Sequence, residues 1–354
     1  MRFKKERTKE LKNSYTVCMS SLILIILSTV PNAAFAKNIP LSNQSNIELA
    51  IAVSVDGRTV LSGGTNRILY YWEVATGKKL GVFYCHQSAI TSISFSSDSN
   101  LALSGDKDGR ICIWNLSAGK LLLSFSADTN RISTVSFLED DRIILTAGLE
   151  GIIKLWNSKT GELIRKFPKQ KNGIYSLALS HDSKFALSGG DFGSLNFWEI
   201  STGKLIRTLS INTNQAIRTV AFSPDDKRAL TGSGPGPMQL WDIASGKVLH
   251  IFNKVYERII FVAFLLNGEI VLSGDSNGTV TIWDIKTYKV LHQFVQAANI
   301  QAIAVSPNSK LLIYGDIDGY ISIWDIPSRR KVRTFSLNTN RDSSIAIVFI
   351  APEK

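Results

Sequence analysis

The stretch from Ser104 to Trp114 has the sequence SGDKDGRICIW. Its first half is rich in Asp and Gly, which favour tight turns. In its second half the apolar residues Ile111 and Ile113 flank Cys112, and an alternation of period two is typical of a β-strand. The same succession of turn and strand returns in the stretch SGDSNGTVTIW, residues 273–283, which indicates an internal repeat.

Tryptophan marks this repeat along the chain. The separations between the seven tryptophans are 42, 42, 42, 43, 42 and 41 residues. Ser or Thr stands ten residues before six of them, and Phe stands eleven residues after six of them. A period of this length predicts a repeat architecture. The seven residues are Trp72, Trp114, Trp156, Trp198, Trp241, Trp283 and Trp324.

Each repeat contains four short apolar segments separated by turns rich in Asp, Asn, Gly and Ser. One four-stranded unit has apolar residues on both faces, so neighbouring units must stack to bury them. A closed radial arrangement leaves only short sheet edges exposed. The sequence therefore predicts an all-β fold, a seven-bladed β-propeller of four-stranded antiparallel blades.

These motifs resemble the WD40 repeat family over roughly residues 47–335. Trp-Asp pairs begin at Trp241, Trp283 and Trp324. The resemblance implies a hydrogen-bonded structural tetrad in the second unit, formed by His86, Ser104, Asp108 and Trp114. At the position of His86 the later units have other residues, which are Asp128, Gln170, Thr213, Val255 and Gln296. We therefore expect stability to vary around the ring.

The first 36 residues have the pattern of an export signal. Six basic residues precede an apolar run at Leu22–Leu27, and the segment ends in Ala34-Phe35-Ala36. About fourteen loosely apolar residues are fewer than the roughly 20 needed to span a bilayer. We expect residues 1–36 to be a cleavable signal peptide and the mature protein to be periplasmic or extracellular, without an integral membrane span. Cleavage would lower the net charge from +11 to +7.

After the signal peptide we expect a lead-in at 37–46, the propeller at 47–335 and a closing strand and tail at 336–354. Residues 343–349 have the sequence SSIAIVF, which is typical of an innermost strand. The sequence allows two modes of ring closure. Either the tail adds a strand where the first and last blades meet, or one terminus completes the blade begun by the other. Seven tryptophan strands favour seven blades with a terminal clasp over eight blades.

The sequence lacks the usual marks of an enzyme. It contains no P-loop and no G-x-S-x-G motif. Three turns beginning at Asp106, Asp275 and Asp316 resemble the start of a calcium loop, but they lack the later glutamate ligand, so we interpret them as hairpin turns. We expect no catalytic, cofactor or metal site. Whether Cys85 and Cys112 form a disulfide stays open, because sequence does not give their separation.

The loops on the two rims of the predicted propeller are the remaining candidates for a functional site. On one rim, basic turn residues alternate with aspartates, so we expect no nucleic-acid site there. On the other rim, Asn and Thr-rich loops lie near aromatic residues and arginines, and they are either loop caps or a docking surface. The candidate partner-binding residues are Asn130, Arg131, Tyr175, Phe192, Arg218, Tyr256, Arg258 and Arg341.

The leading hypothesis is a non-catalytic scaffold in the cell envelope that binds a protein or peptide. One alternative is an enzymatic propeller similar to the quinone-dependent dehydrogenases, suggested by the Thr-Gly-Lys turns at Thr76 and Thr202. In those enzymes, however, the tryptophan follows the turn rather than preceding it. Another alternative is a module that binds envelope glycans.

Overall fold

The computed structural model describes residues 48–138, 140–210, 215–234, 236–252, 257–265, 268–295 and 300–336. In these residues the chain forms seven antiparallel sheets, and each sheet consists of four consecutive strands. The predicted all-β propeller of seven four-stranded blades is confirmed. The predicted signal peptide, the lead-in and most of the predicted tail lie outside the described residues and stay predictions.

The strands follow one another with short connections, four to a blade. Blades 1 to 4 consist of β1 Glu48–Val53, β2 Thr59–Gly64, β3 Ile68–Glu73, β4 Lys79–Tyr84; β5 Ile90–Phe95, β6 Leu101–Asp106, β7 Arg110–Asn115, β8 Lys120–Ser126; β9 Ile132–Leu138, β10 Ile143–Gly148, β11 Lys154–Asn157, β12 Leu163–Lys166; β13 Ile174–Leu179, β14 Phe185–Gly190, β15 Ser194–Glu199, β16 Leu205–Ser210. A single 3-10 turn, Asp191–Gly193, connects β14 and β15.

Blades 5 to 7 consist of β17 Ile217–Phe222, β18 Arg228–Ser233, β19 Met238–Asp242, β20 Val248–Phe252; β21 Ile259–Phe264, β22 Ile270–Asp275, β23 Thr279–Asp284, β24 Val290–Val295; β25 Ile300–Val305, β26 Leu311–Asp316, β27 Tyr320–Asp325, β28 Arg330–Ser336. The second strand of each blade is almost wholly buried, whereas most residues of the fourth strand are at least partly exposed.

The tryptophan of each third strand is fixed by the hydroxyl ten residues before it. Its indole N–H donates to that Ser or Thr in six blades, at 2.9–3.2 Å, as from Trp283 to Ser273. In blade 7 the position holds Tyr314, and the buried indole nitrogen of Trp324 has no hydrogen-bond partner. The recurring ten-residue spacing in the sequence therefore corresponds to one hydrogen bond repeated around most of the ring.

Neighbouring blades meet through a second repeated contact. The Phe eleven residues after a tryptophan lies against the tryptophan of the following blade, as Phe83 does against Trp114 at 5.3 Å between ring centroids. Blade 4 has Leu209 in place of Phe, and it packs in the cluster that contains Trp241. Aromatic pairs of this kind contribute about 0.5–1.5 kcal/mol beyond their burial. The remaining pairs are Phe125–Trp156, Phe167–Trp198, Phe252–Trp283 and Phe294–Trp324.

The ring closes between blades 7 and 1 with the same contacts. Phe335 lies 5.0 Å from Trp72, and Arg333 Nη1 donates to the carbonyl of Thr76 at 2.6 Å. Strand β1 also contacts β25. Blades 1 and 7 each contain four consecutive strands, so neither depends on a strand from the other terminus. Residues 343–349 lie outside the described residues, and a strand added there stays a prediction.

A line of hydroxyl groups joins the innermost strands of blades 2 to 6. Each backbone N–H in this line donates to the hydroxyl of the preceding blade, and the pairs are Val135 with Ser92, Leu177 with Thr134, Val220 with Ser176, and Val262 with Thr219. At the equivalent position blades 6, 7 and 1 have Phe261, Ala302 and Ala50, which have no hydroxyl. This hydroxyl line therefore stops at blade 6.

Candidate binding site at the upper rim

The antiparallel strands divide the connections between two rims. We call the upper rim the one that carries the turns between second and third strands, such as 107–109, and the links between blades, such as 127–131. The lower rim carries the turns between first and second strands and between third and fourth strands. The predicted partner-binding residues that the structure describes belong to the upper rim.

The predicted tetrad of blade 2 is present with one correction. His86 Nδ1 contacts Asp106 Oδ2 at 2.9 Å, and His86 Nε2 contacts Ser104 Oγ at 2.7 Å. Trp114 donates to the same Ser104 hydroxyl at 3.2 Å. The acidic member is thus Asp106 and not Asp108, because Asp106 ends strand β6 on its buried side whereas Asp108 lies exposed in the turn.

Asp106 also holds the turn that follows it. Its Oδ1 accepts the backbone N–H groups of Asp108 and Arg110 at 3.0 and 2.9 Å. Burial opposes ionisation of this carboxyl, but the hydrogen bonds from His86 and from the backbone of Arg110 outweigh it and lower the pKa of Asp106. The residues of the tetrad therefore anchor a loop of the upper rim and have a structural role.

Cys85 and Cys112 form a disulfide in the structure, with their Cα atoms 6.6 Å apart. It connects the link before blade 2 to the tryptophan strand of the same blade. This bond lies next to the tetrad, since Cys112 Sγ is 3.8 Å from His86 Nδ1. Blade 2 alone has the tetrad His, and the disulfide gives the same blade a covalent cross-link in addition to the tetrad.

Blade 3 replaces the His with a charged triad, formed by the buried Asp128 and Lys154 and the partly exposed Glu150. Lys154 Nζ donates to the carbonyl of Ala127 at 2.9 Å, lies 3.8 Å from Asp128 Oδ2 and forms an ion pair with Glu150. Burial raises the pKa of Asp128 to about 6, although the Lys154 charge opposes this rise. Sequence reasoning identified the column of Asp128 but missed Lys154, whose signal was a lysine at a polar strand position two residues before Trp156.

Blade 4 uses Gln170 in the same position. Its Oε1 accepts hydrogen bonds from Ser188 Oγ at 3.1 Å and from Asn196 Nδ2 at 2.7 Å, and Ser188 accepts the Trp198 indole N–H. The equivalent residues of blades 5, 6 and 7, which are Thr213, Val255 and Gln296, lie outside the described residues. The position of His86 therefore holds a different residue, with different hydrogen-bond partners, in each of the three blades where it is described.

Three arginines of the predicted surface come together on one side of the upper rim. Arg131 and Arg258 directly precede the innermost strands β9 and β21, and Arg218 is the second residue of β17. Burial lowers the pKa of Arg131, and the positive charges of Arg218 and Arg258 lower it further. Burial and the charge of Arg218 also lower the pKa of Arg258. The three guanidinium groups are thus close enough to repel one another.

Tyr175 completes this arginine cluster from blade 4. The guanidinium carbon of Arg218 lies 3.9 Å from the centre of the Tyr175 ring, a cation–π contact. Burial raises the pKa of Tyr175, and its hydrogen bond to Asp191 raises it further. Four consecutive blades, 3 to 6, therefore contribute one side chain each to this part of the rim.

Phe192 projects beside this cluster, next to Asp191 in the turn of blade 4. Its side chain is 61% exposed, and its backbone has a φ of 56°, which is unusual for a bulky residue. Other blades have polar residues at this turn position, such as Asp108, Asn277 and Asp318. A strained, exposed aromatic residue in place of a polar one is a feature that often accompanies function.

The other predicted surface residues are Asn130, Tyr256 and Arg341. The side-chain oxygen of Asn130 accepts the backbone N–H of Arg131 at 3.2 Å, and the Asn130 N–H donates to Asp128, so Asn130 shapes the loop. Tyr256 and Arg341 lie outside the described residues. Sequence reasoning did not identify Asp191, whose signal was only its position before the unusual Phe192.

The lower rim has mixed charge. Acidic and basic residues there form exposed local ion pairs, such as Lys184 with Asp182 at 3.1 Å and Arg142 with Asp140 at 3.4 Å. A mostly apolar cavity of about 500 Å³ lies near this rim, lined by residues of blades 4 to 7 such as Phe261 and Ala304. Its one titratable lining residue is His181, whose Nδ1 lies 3.1 Å from Asp226 Oδ1.

No group of three or more His, Cys, Asp or Glu side chains in the part of the chain that the structure describes is placed to hold a metal ion. No helix among the described residues is long and apolar enough to cross a membrane.

A closed ring of four-stranded blades, each centred on a tryptophan at a period near 42 residues, defines a repeat β-propeller. The family model for the WD domain, G-beta repeat, matches six segments of this sequence, which are 77–115, 119–157, 161–199, 203–242, 246–284 and 288–325. The chain belongs to the WD40 repeat family. Each matched segment begins just before the outermost strand of one blade and ends in or just after the tryptophan strand of the next.

A more local similarity connects the chain to a plant protein. It is 42% identical over 57 residues to the U3 snoRNP-associated protein-like YAOH of Oryza sativa subsp. japonica. The match spans 16% of this chain and 11% of the plant protein.

Proposed function

We propose that this propeller is a non-catalytic scaffold that binds a protein or peptide through its upper rim. The observation that supports it most is the arginine cluster of blades 3 to 6 with the exposed Phe192 beside it. Arginine and aromatic side chains are the residues that most often dominate binding energy at interfaces. Propellers of this family are typically protein-interaction scaffolds, and the rigid ring would present the rim loops without a large ordering cost.

The binding role is preferred to an enzymatic one. The ionisable groups with large pKa changes, such as Asp128, are engaged in structural ion pairs within a blade. An absorbance spectrum of protein purified from its own host discriminates the two: a bound chromophore would support a cofactor-dependent enzyme, and its absence at stoichiometric protein concentration would support the scaffold.

We also propose that the protein acts outside the cytoplasm, in the periplasm or beyond. Two independent features support this location: the signal-like residues 1–36 and the Cys85–Cys112 disulfide, since disulfides persist mainly in oxidising compartments. The similarity to a U3 snoRNP-associated protein spans too short a stretch to transfer its partners. We propose a protein partner rather than a nucleic acid.

The proposed surface is tested by removing its described side chains together. The variant Phe192→Ser, Arg218→Gln, Arg258→Gln should lose the partner that the wild-type protein captures by crosslinking in its native envelope. Crosslinked peptides identified by mass spectrometry should come from the upper-rim loops in the wild-type protein.

A matched control changes the same residue classes on the lower rim. The variant Val55→Ser, Arg329→Gln, Arg330→Gln removes one exposed apolar side chain and two positive charges there, and it should keep the partner. Equal capture by both variants, with both shown to be folded by circular dichroism, would reject the upper rim as the docking surface.

A further inference from the structure

The arginine cluster formed by Arg131, Arg218 and Arg258 is an uncompensated positive site. In the described residues none of these three guanidinium groups forms an ion pair with a carboxylate. The buried Nε atom of each has no hydrogen-bond partner. Like charges held together and partly shielded from water are unfavourable unless a counter-charge arrives, because screening by solvent is reduced there.

The nearby sequence offers little to neutralise this site. Glu257 directly precedes Arg258, but it is exposed and forms no ion pair with Arg258 in the described residues. The inter-blade links outside the described residues, 211–214, 253–256 and 296–299, contain no Asp or Glu. Asp191 is the acidic residue that Tyr175 contacts, and it engages the Tyr175 hydroxyl. The positive charge of the cluster is therefore available to a ligand.

We propose that this arginine cluster is an oxyanion site that binds the carboxylate groups of an acidic peptide segment. Guanidinium groups match carboxylates with paired N–H donors, and three of them lie at the starts of the innermost strands of blades 3, 5 and 6, on the same side of the upper rim. This grouping differs from the extended basic groove that follows a nucleic-acid backbone. Phe192, exposed beside the cluster, supplies an apolar contact for the same segment. The inference builds on the proposed function by giving the chemistry of its partner.

Titration of a fluorescent hexa-glutamate peptide, followed by anisotropy, tests the site directly. The wild-type mature protein should bind this peptide at least ten times more tightly than the hexa-glutamine analogue, and added salt should weaken the binding. The variant Arg131→Gln, Arg218→Gln, Arg258→Gln should lose at least tenfold in affinity. It should also show a cooperative thermal transition, which shows that it is folded, because relief of charge repulsion offsets the loss of the Arg218–Tyr175 cation–π contact.

The control variant Arg142→Gln, Arg329→Gln, Arg330→Gln removes three exposed charges from the lower rim and should bind the acidic peptide as tightly as the wild-type protein. Equal affinity for the glutamate and glutamine peptides, or unchanged affinity in the cluster variant, would overturn the oxyanion site. Tighter binding of a single-stranded oligonucleotide at physiological salt would overturn the choice of a peptide ligand.

These outcomes separate the inference from the proposed function. If the acidic peptide fails to bind while the upper-rim variant still loses the native partner, the oxyanion site is wrong and the scaffold function stands. If the acidic peptide binds through the cluster while the native partner is retained by the upper-rim variant, the oxyanion site stands and the proposed docking surface is wrong.

Discussion

Replacement of Lys154 by Met should destabilise the propeller strongly and in a pH-dependent way. The Lys154 side chain is 5% exposed and the Asp128 side chain 2%, so the variant leaves a buried carboxylate without its counter-charge. Removing one partner of a buried ion pair costs about 3–5 kcal/mol of the free energy of unfolding. We expect this full cost at pH 8, where Asp128 is ionised.

The cost should fall as the pH is lowered. The pKa of Asp128 is already about 6 in the folded wild-type protein, well above the value of 3.8 for a free side chain. A raised folded-state pKa means that this group favours folding below pH 4 and that its contribution is lost as the pH rises through 6. Without Lys154 the pKa rises further, so at pH 5 the buried carboxyl is neutral and less than half of the cost should remain.

Urea unfolding followed by tryptophan fluorescence at pH 5 and pH 8 measures both costs. The double variant Lys154→Met, Asp128→Asn should recover most of the stability at pH 8, because the amide oxygen can still accept the Asn130 N–H. Lys204→Met, at an exposed turn, is the control and should change stability by no more than about 0.5 kcal/mol. An equal loss at both pH values for Lys154→Met would refute the assignment of the cost to ionised Asp128.

Two further predictions concern the repeated tryptophan and the cysteines. Trp283→Phe should cost about 1–2 kcal/mol more in unfolding free energy than Trp324→Phe, because only Trp283 loses a hydrogen bond; equal costs in urea titrations would contradict this. Denatured, unreduced protein from the host envelope should show no free thiol, because Cys85 and Cys112 are paired and Cys18 leaves with the leader; one labelled thiol in intact-mass spectra would indicate a retained leader, and two or more an open disulfide.

The architecture was predictable because it depends on residues that recur. The tryptophan period, the hydroxyl ten residues before it and the Phe eleven residues after it each correspond to one repeated contact, as between Phe83 and Trp114. A repeated contact leaves a repeated residue in the sequence. The tetrad acid was predicted wrongly because two aspartates, Asp106 and Asp108, lie two residues apart in a tight turn, and only the backbone shows which one faces the buried His86.

The candidate site was harder to predict because it depends on residues that do not recur. Arg131 and Arg258 each precede an innermost strand by one residue, whereas Arg218 is the second residue of its strand, so no column of the repeat contains all three. The sequence placed them on one rim, but their mutual approach and their contact with Tyr175 depend on the curvature of the ring. The Lys154 triad was missed for the same reason, since a single lysine interrupts an otherwise regular strand pattern.

The hydroxyl line that stops at Phe261 divides the propeller into two unequal arcs. Residues 92 to 262 form a continuous stretch of chain in which a backbone N–H of each blade donates to a side-chain hydroxyl of the preceding blade, so this arc can assemble in sequence order as the chain emerges. The junctions from blade 6 through blades 7 and 1 to blade 2 lack this hydroxyl, because Phe261, Ala302 and Ala50 occupy its position. We expect the ring to close last during folding, and to open first under heat or mechanical force, at the junction of blades 7 and 1, where the chain enters and leaves the propeller.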